Sequence, residues 1–236
     1  MNNNNIDIVG ASFPLAKLNL KKGESIYIQT GSMIYKDNTL ELKTRLNAKS
    51  NNFLIKFTKA FFRSLTSGEN MFVTEVFAHN DGTIAIAPTV PGQIGILNID
   101  ENHQYRLNDG AFLAMEGSAN YVMKSQSIGK ALFSNTGGFF VMETTGKGSL
   151  LINAFGSIEK IHLNGNSITI DNGNVIAWDK NLSYNIHFEN NWIQSIGTGE
   201  GLVNTFTGTG DIYIQTLNLQ QFASEISPLI ISPNNK

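Results

Sequence analysis

The chain has 236 residues, of which 15% are charged and 41% hydrophobic, with 22 glycines and a formal net charge of −2. That balance excludes a disordered chain and argues against a broad nucleic-acid or anionic-membrane surface. The absence of cysteine excludes disulfides, thiolate metal sites and a cysteine nucleophile, and suits a cytoplasmic protein.

The N-terminus, MNNNNIDIVG, has neither a basic segment nor a long apolar run, so no secretory signal is expected. No stretch approaches the ~18 apolar residues of a membrane span. Asn2 to Asn5 read as a frayed tail. Leu18 to Tyr35, LNLKKGESIYIQTGSMIY, reads as a turn at Lys22-Gly23, an alternating strand, a turn at Gly31 and another strand. Phe53 to Thr66, FLIKFTKAFFRSLT, breaks this pattern. Its apolar residues at 53, 54, 57, 61 and 65 have near-helical spacing. Lys56, Lys59 and Arg63 then fall within about 60° of each other on the wheel. Ser67 onward, SGENMFVTEVFAHNDGTIAIA, reads as two strands joined by a glycine hairpin.

The same two sentences recur. Leu97 to Met115, LNIDENHQYRLNDGAFLAM, and His162 to Trp178, HLNGNSITIDNGNVIAW, repeat the first. Asn135 onward, NTGGFFVMETTGKGSLLINA, and Gly197 to Thr216, GTGEGLVNTFTGTGDIYIQT, repeat the second, with a turn expected at Gly208-Thr209-Gly210. Gly31, Gly110 and Gly173 occupy equivalent places. The stretches Asn80-Asp81-Gly82, Asn108-Asp109-Gly110, Asn164-Gly165 and Asp171-Asn172-Gly173 supply residues that tolerate the positive φ of tight hairpins. The expectation is three diverged repeats of roughly 60–80 residues, over 7–98, 99–162 and 163–227, in a single domain 1–236. Leu217 to Ile226, LNLQQFASEI, is a second short helix candidate with Leu219, Phe222 and Ile226 on one side. Pro228 stands beyond its end, opening a tail at 228–236.

Chemistry-bearing motifs are sparse. Gly68-Glu69 and Gly199-Glu200 match between the first and third repeats, where the middle one has Thr136-Gly137. The two carboxylates could act as acid and base, but polar turn residues ordinarily satisfy nearby backbone N–H groups. Gly197-Thr198-Gly199-Glu200-Gly201 is not followed by the glycine or the helix of a dinucleotide site. Gly146-Lys147-Gly148-Ser149 lacks the upstream glycine of a P-loop. His79, His103, His162 and His187 form no HxH or HExxH pattern and read as surface or turn residues. No serine sits in GxSxG. The basic face at 53–66 could meet anionic lipid weakly, though three cations are few.

Laid out in this way, the chain resembles the bacterial and mitochondrial family named for altered inheritance of mitochondria, its twenty-fourth member. The stretches that carry the likeness are GSMIY at 31–35, LTSGENMF at 65–72, APTVPGQIGILNID at 87–100 and DGAFLAMEGS at 109–118. INAFGSIEKIHL at 152–163, DNGNVIAW at 171–178 and TGEGLVNTFTGTGDIYIQT at 198–216 complete it. The resemblance implies an all-β fold similar to the tryptophan RNA-binding attenuation protein, of double-stranded β-helix type, with three β-sandwich repeats around a pseudo-threefold axis. It implies no established enzyme activity and brings no functional residues. In mitochondria such proteins look like factors of inner-membrane organisation. The expected function is therefore a non-enzymatic scaffold or interaction protein with a protein partner or itself. A small-ligand or RNA binding module is the alternative, and an enzyme a more distant one. No catalytic, cofactor or metal residues are expected.

Overall fold

The computed structural model describes residues 5–45, 73–108, 110–126, 139–188 and 201–230. The helix expected at 53–66, Thr136-Gly137, Glu69 and Glu200 all lie outside them. The described residues form antiparallel strands in three sheets and are all-β apart from short helical segments. The first sheet has the order β1 (Ile6–Val9), β2 (Leu15–Leu20), β7 (Gly82–Ile86), β4 (Met33–Lys36). The second runs β5 (Leu40–Arg45), β6 (Val73–Ala78), β3 (Ser25–Gln29), β10 (Phe112–Glu116), β13 (Gly148–Asn153), β8 (Ile94–Ile99). The third runs β11 (Asn120–Gln126), β12 (Phe139–Thr145), β9 (Tyr105–Leu107), β15 (Val175–Asp179), β17 (Leu202–Gln215), β14 (Ile158–Asp171). Here β16 (Ser183–Phe188) also pairs with β17.

The second sheet is covered on both faces. One face packs Ile26, Ile28, Val76, Leu113 and Leu151 against Leu18, Leu20, Ile84 and Ile86 of the first sheet. The other packs Phe112, Met115, Leu150 and Ile152 against Leu107, Met142 and Ile176 of the third. A strand with both faces covered needs no polar alternation, and so FLAM and SLLIN are apolar runs. By contrast β2, LAKLNL, has one covered face and alternates. The third core lies where β14, β15, β16 and β17 curl together around Trp178, Phe206, Leu163 and Ile212.

The expected glycine hairpins are corners. From β3 to β4 the chain crosses from the second sheet to the first at Gly31, φ 86°, and from β9 to β10 it crosses from the third to the second at Gly110, φ 81°. The turns at Asn80-Asp81-Gly82 and Gly146-Lys147 are also crossings, since β6 does not pair with β7, nor β12 with β13. At Gly208-Thr209-Gly210 there is no turn at all. The single strand β17 runs through it, bending as it leaves β16 for β15. Asn164-Gly165 is likewise a register shift inside β14, with Gly165 at φ 79°. Gly173 lies in a 3₁₀ turn, Asn172–Asn174, held by its N–H donating to Asp171 Oδ1 at 2.7 Å, and has no positive φ. Period-two alternation marks a strand but not its partner, and a glycine that could turn a hairpin can equally bend a strand.

Two features recur along the chain. Just after Gly31, Gly110 and Gly173 the ladder slips by one residue. The slips fall between Met33 and Tyr35, Phe112 and Ala114, and Val175 and Ala177. Six residues after each glycine stands an acid, Asp37, Glu116 or Asp179. Each accepts a backbone N–H from the strand alongside: Thr83 at 2.8 Å, Ser149 at 3.2 Å and Asp211 at 2.8 Å.

The segments leading into β8 and β14 meet at an isolated bridge, Gly92 to Gly156. A Cβ on Gly92 would run into the Ala154 carbonyl oxygen and stand 2.7 Å from Gly156 N. Both obstacles are backbone and cannot swing aside. Gly92→Ala is expected to cost about 2 kcal/mol, as overpacking does, seen as a lower midpoint in urea unfolding.

Candidate functional site

Two charged clusters lie on opposite faces of the third sheet. On the face toward Trp178, strand alternation puts Glu143, Arg106 and Trp178 in one row across β12, β9 and β15. Glu143 is buried, and Arg106 Nε and Lys124 Nζ reach its Oε2 at 3.0 and 2.8 Å, with Lys180 Nζ on Oε1 at 2.9 Å. Arg106 also lies over the Tyr184 ring, 5.3 Å from its centroid. Burial pushes the Glu143 carboxyl up, but Lys124, Lys180 and Arg106 outweigh it and hold the group at about 2.

On the other face, β14 and β17 set His162 opposite Asp211. His162 Nδ1 lies 2.6 Å from Asp211 Oδ1, and Lys160 Nζ 3.1 Å from Asp211 Oδ2. Tyr105 and Tyr213 pack edge to face beside them, 6.2 Å between ring centroids. Burial raises the Asp179 carboxyl, and the like charge of Asp211 adds to that, while the Asp211 N–H opposes it. Burial also raises Asp211, but His162 and Lys160 prevail and lower it. Two carboxyls pushed apart are what an acid–base site requires. Two facts weigh against that use. The His162 side chain is 59% exposed, so nothing excludes water from it. Asp179 also does what Asp37 and Glu116 do elsewhere in the fold, where no histidine attends. Among the described residues, no three His, Asp or Glu side chains converge on a point a metal could occupy.

The third feature is apolar. Met33, Ile34 and Tyr35 of β4 are 40%, 60% and 45% exposed. At the C-terminal end, α1 (Leu219–Ile226) begins two residues later than expected and runs into a 3₁₀ turn, Ser227–Leu229, that contains Pro228. Its Leu219, Phe222 and Ile226 lie on one side, as their spacing requires, yet none is buried, and Leu229 and Ile230 beyond them are more exposed still. Phe222 touches the body edge-on at Phe155, 5.2 Å between centroids. Asn218 caps the helix, accepting the Gln220 and Gln221 N–H groups, and its amide donates to Asp171 Oδ1 at 2.9 Å. Asn218→Ala is expected to cost about 1 kcal/mol, with faster amide exchange confined to the first turn of α1.

The family model described as Mitochondrial biogenesis AIM24 matches residues 6–217. The chain belongs to the AIM24 family. It is 53% identical over 223 residues to an uncharacterized protein of Streptococcus pyogenes serotype M6, covering 94% of this chain and 89% of that one. It is also similar to the crystal structure of a Streptococcus pyogenes protein, with 50% identity, a TM-score of 0.81, and coverage of 95% of this chain and 99% of the other.

In this AIM24 chain the histidines are placed as follows. His79 pairs with Glu41 at 2.9 Å, and His103 caps its own turn through Asp100 at 3.0 Å. His187 lies near the Asn185 carbonyl, and His162 belongs to the Asp211 cluster. The sequence reading missed Glu143, Asp179 and Asp211. Glu143 carried a legible signal, a charge two residues after apolar Val141 and so on the same face of its strand. The Asp211 cluster carried none, because its members meet only through strand register. Among the described residues, no helix is long and apolar enough to cross a membrane.

Proposed function

We propose that this AIM24 chain works as a non-enzymatic scaffold or interaction protein in the cytoplasm. The observation that carries this reading is the run of exposed apolar side chains from Leu217 to Ile230. Single exposed apolar residues need no explanation, but a contiguous patch marks a contact surface. The polar face of α1 is Gln220, Gln221, Ser224 and Glu225, with no cation, which favours a protein surface over anionic lipid. The test is affinity capture of the tagged chain from its native cell, beside a Phe222→Ser, Leu229→Ser chain. The reading expects a stoichiometric companion retained by the first and lost by the second. One defined turnover by purified protein, abolished by His162→Ala, overturns it.

Binding of a small anionic ligand or RNA is the second reading. It is favoured by three cations gathered on the single carboxylate of Glu143. Retention on mixed RNA that weakens steeply with salt would support it; no retention at low salt removes it.

A further inference from the structure

The strand β4 lacks a neighbour that its counterparts have. β10 pairs with β13 on one edge and β3 on the other, and β15 pairs with β17 and β9. β4 pairs with β7 and, among the described residues, with nothing on its other edge. The two completed joints have one register. Ala114, Met115 and Glu116 face Ile28, Tyr27 and Ile26, while Ala177, Trp178 and Asp179 face Leu107, Arg106 and Tyr105. Counted from Gly31, Gly110 and Gly173, these are the same positions in both cases. Carried on to β4, the rule sets Tyr35, Lys36 and Asp37 opposite Ile170, Thr169 and Ile168. Those residues form the outer arm of β14, which pairs with β17 and has no described strand on its other edge.

We propose that the strand missing from β4 is the Ser167–Ile170 arm of β14 from a second copy of this chain. Three observations carry it. Phe112, Leu113 and Ala114 are 1%, 0% and 1% exposed, and Val175, Ile176 and Ala177 4%, 1% and 0%, whereas their counterparts Met33, Ile34 and Tyr35 are 40–60% exposed. Neither edge is guarded. Open edges are ordinarily protected by charge, yet SMIY and NGNSITI contain none. The charged residues that follow SMIY are turned onto their own chain, with Lys36 Nζ donating to the Leu40 carbonyl at 2.8 Å and Asp37 Oδ2 accepting the Thr83 N–H at 2.8 Å. Finally, the slip at Met33/Tyr35 does not blunt the edge, since β10 and β15 carry the same slip and are paired on both sides.

The contact joins two different edges, so it builds a ring or a reciprocal dimer. The proposal rests on the scaffold reading in supposing an assembly, but it uses side chains other than the apolar ones of α1. Capture through Phe222 and pairing through β4 can therefore fail independently.

The natural chain has no cysteine, which makes cross-linking clean. Residues directly opposite in an antiparallel ladder have Cα atoms about 4.5–5.5 Å apart, within disulfide reach. Mixed and oxidised, Lys36→Cys and Thr169→Cys chains should link to each other, and Lys36→Cys should not link to Thr207→Cys. The unsubstituted chain should sediment as a dimer or larger. Ile34→Lys, at an exposed site, should weaken that assembly at least about tenfold with its far-ultraviolet circular dichroism unchanged. Monomeric sedimentation at every concentration overturns the proposal. So does a doubly substituted Lys36→Cys, Thr169→Cys chain that closes only within itself.

Discussion

Trp178→Ala is expected to lower the unfolding free energy by about 3–5 kcal/mol, the usual cost of emptying a large aromatic site. Trp178 is 0% exposed and sits edge-on to Tyr184 and Phe206, with centroids 4.9 and 5.4 Å away. It joins β15 to β16 and β17, where, among the described residues, no other sheet supplies a covering layer. For a chain of this size the loss corresponds to a drop of about 10 °C in melting temperature. Trp178→Phe should cost far less, about 1 kcal/mol, because ring packing is kept. The indole Nε1 has no hydrogen-bond partner among the described residues, so no bond is lost with it. A phenylalanine variant as unstable as the alanine one would show that the indole N–H is held by a group this account omits.

Glu143→Gln should cost about 3 kcal/mol at neutral pH, because it leaves three cations facing each other across a buried amide. The effect has a definite pH dependence. In the folded chain the carboxyl ionises at about 2, below its ordinary value of 4.5. A carboxyl whose folded value is depressed contributes its stabilisation fully above the unfolded value, and loses it as pH falls through the folded one. The gap between wild type and Glu143→Gln should therefore be full at pH 7 and narrow steadily from about pH 4.5 toward pH 2. Urea midpoints at a series of pH values measure it. A gap independent of pH would mean that Glu143 acts through packing alone.

Strands were legible because alternation and glycine punctuation are local. FLAM and SLLIN lack that alternation, because both faces of their strands are covered. The helix at Leu219–Ile226 was legible from its spacing and its following proline. Partners were not legible. Nothing in GTG distinguishes a hairpin from a bend in a 14-residue strand, since both need only a glycine's backbone freedom. For the same reason the Asp211 cluster was invisible. His162 and Asp211 are far apart in sequence and meet because β14 lies on β17 in one register. The acids at Asp37, Glu116 and Asp179 were also passed over, although they stand at a fixed offset from the glycines that the sequence reading aligned. Their common duty appears only when the accepting carboxylate and the donating N–H are seen together.

The central claim, that this AIM24 chain acts through its surfaces and not through a reaction centre, is tested most directly by replacement at the chromosomal locus. His162→Ala removes the histidine that pairs with Asp211, at a site too exposed to unfold the chain. The account predicts a cell indistinguishable from wild type with His162→Ala, and one like the deletion with Phe222→Ser, Leu229→Ser, at equal protein abundance. A deletion phenotype from His162→Ala, beside a silent Phe222→Ser, Leu229→Ser, would contradict it.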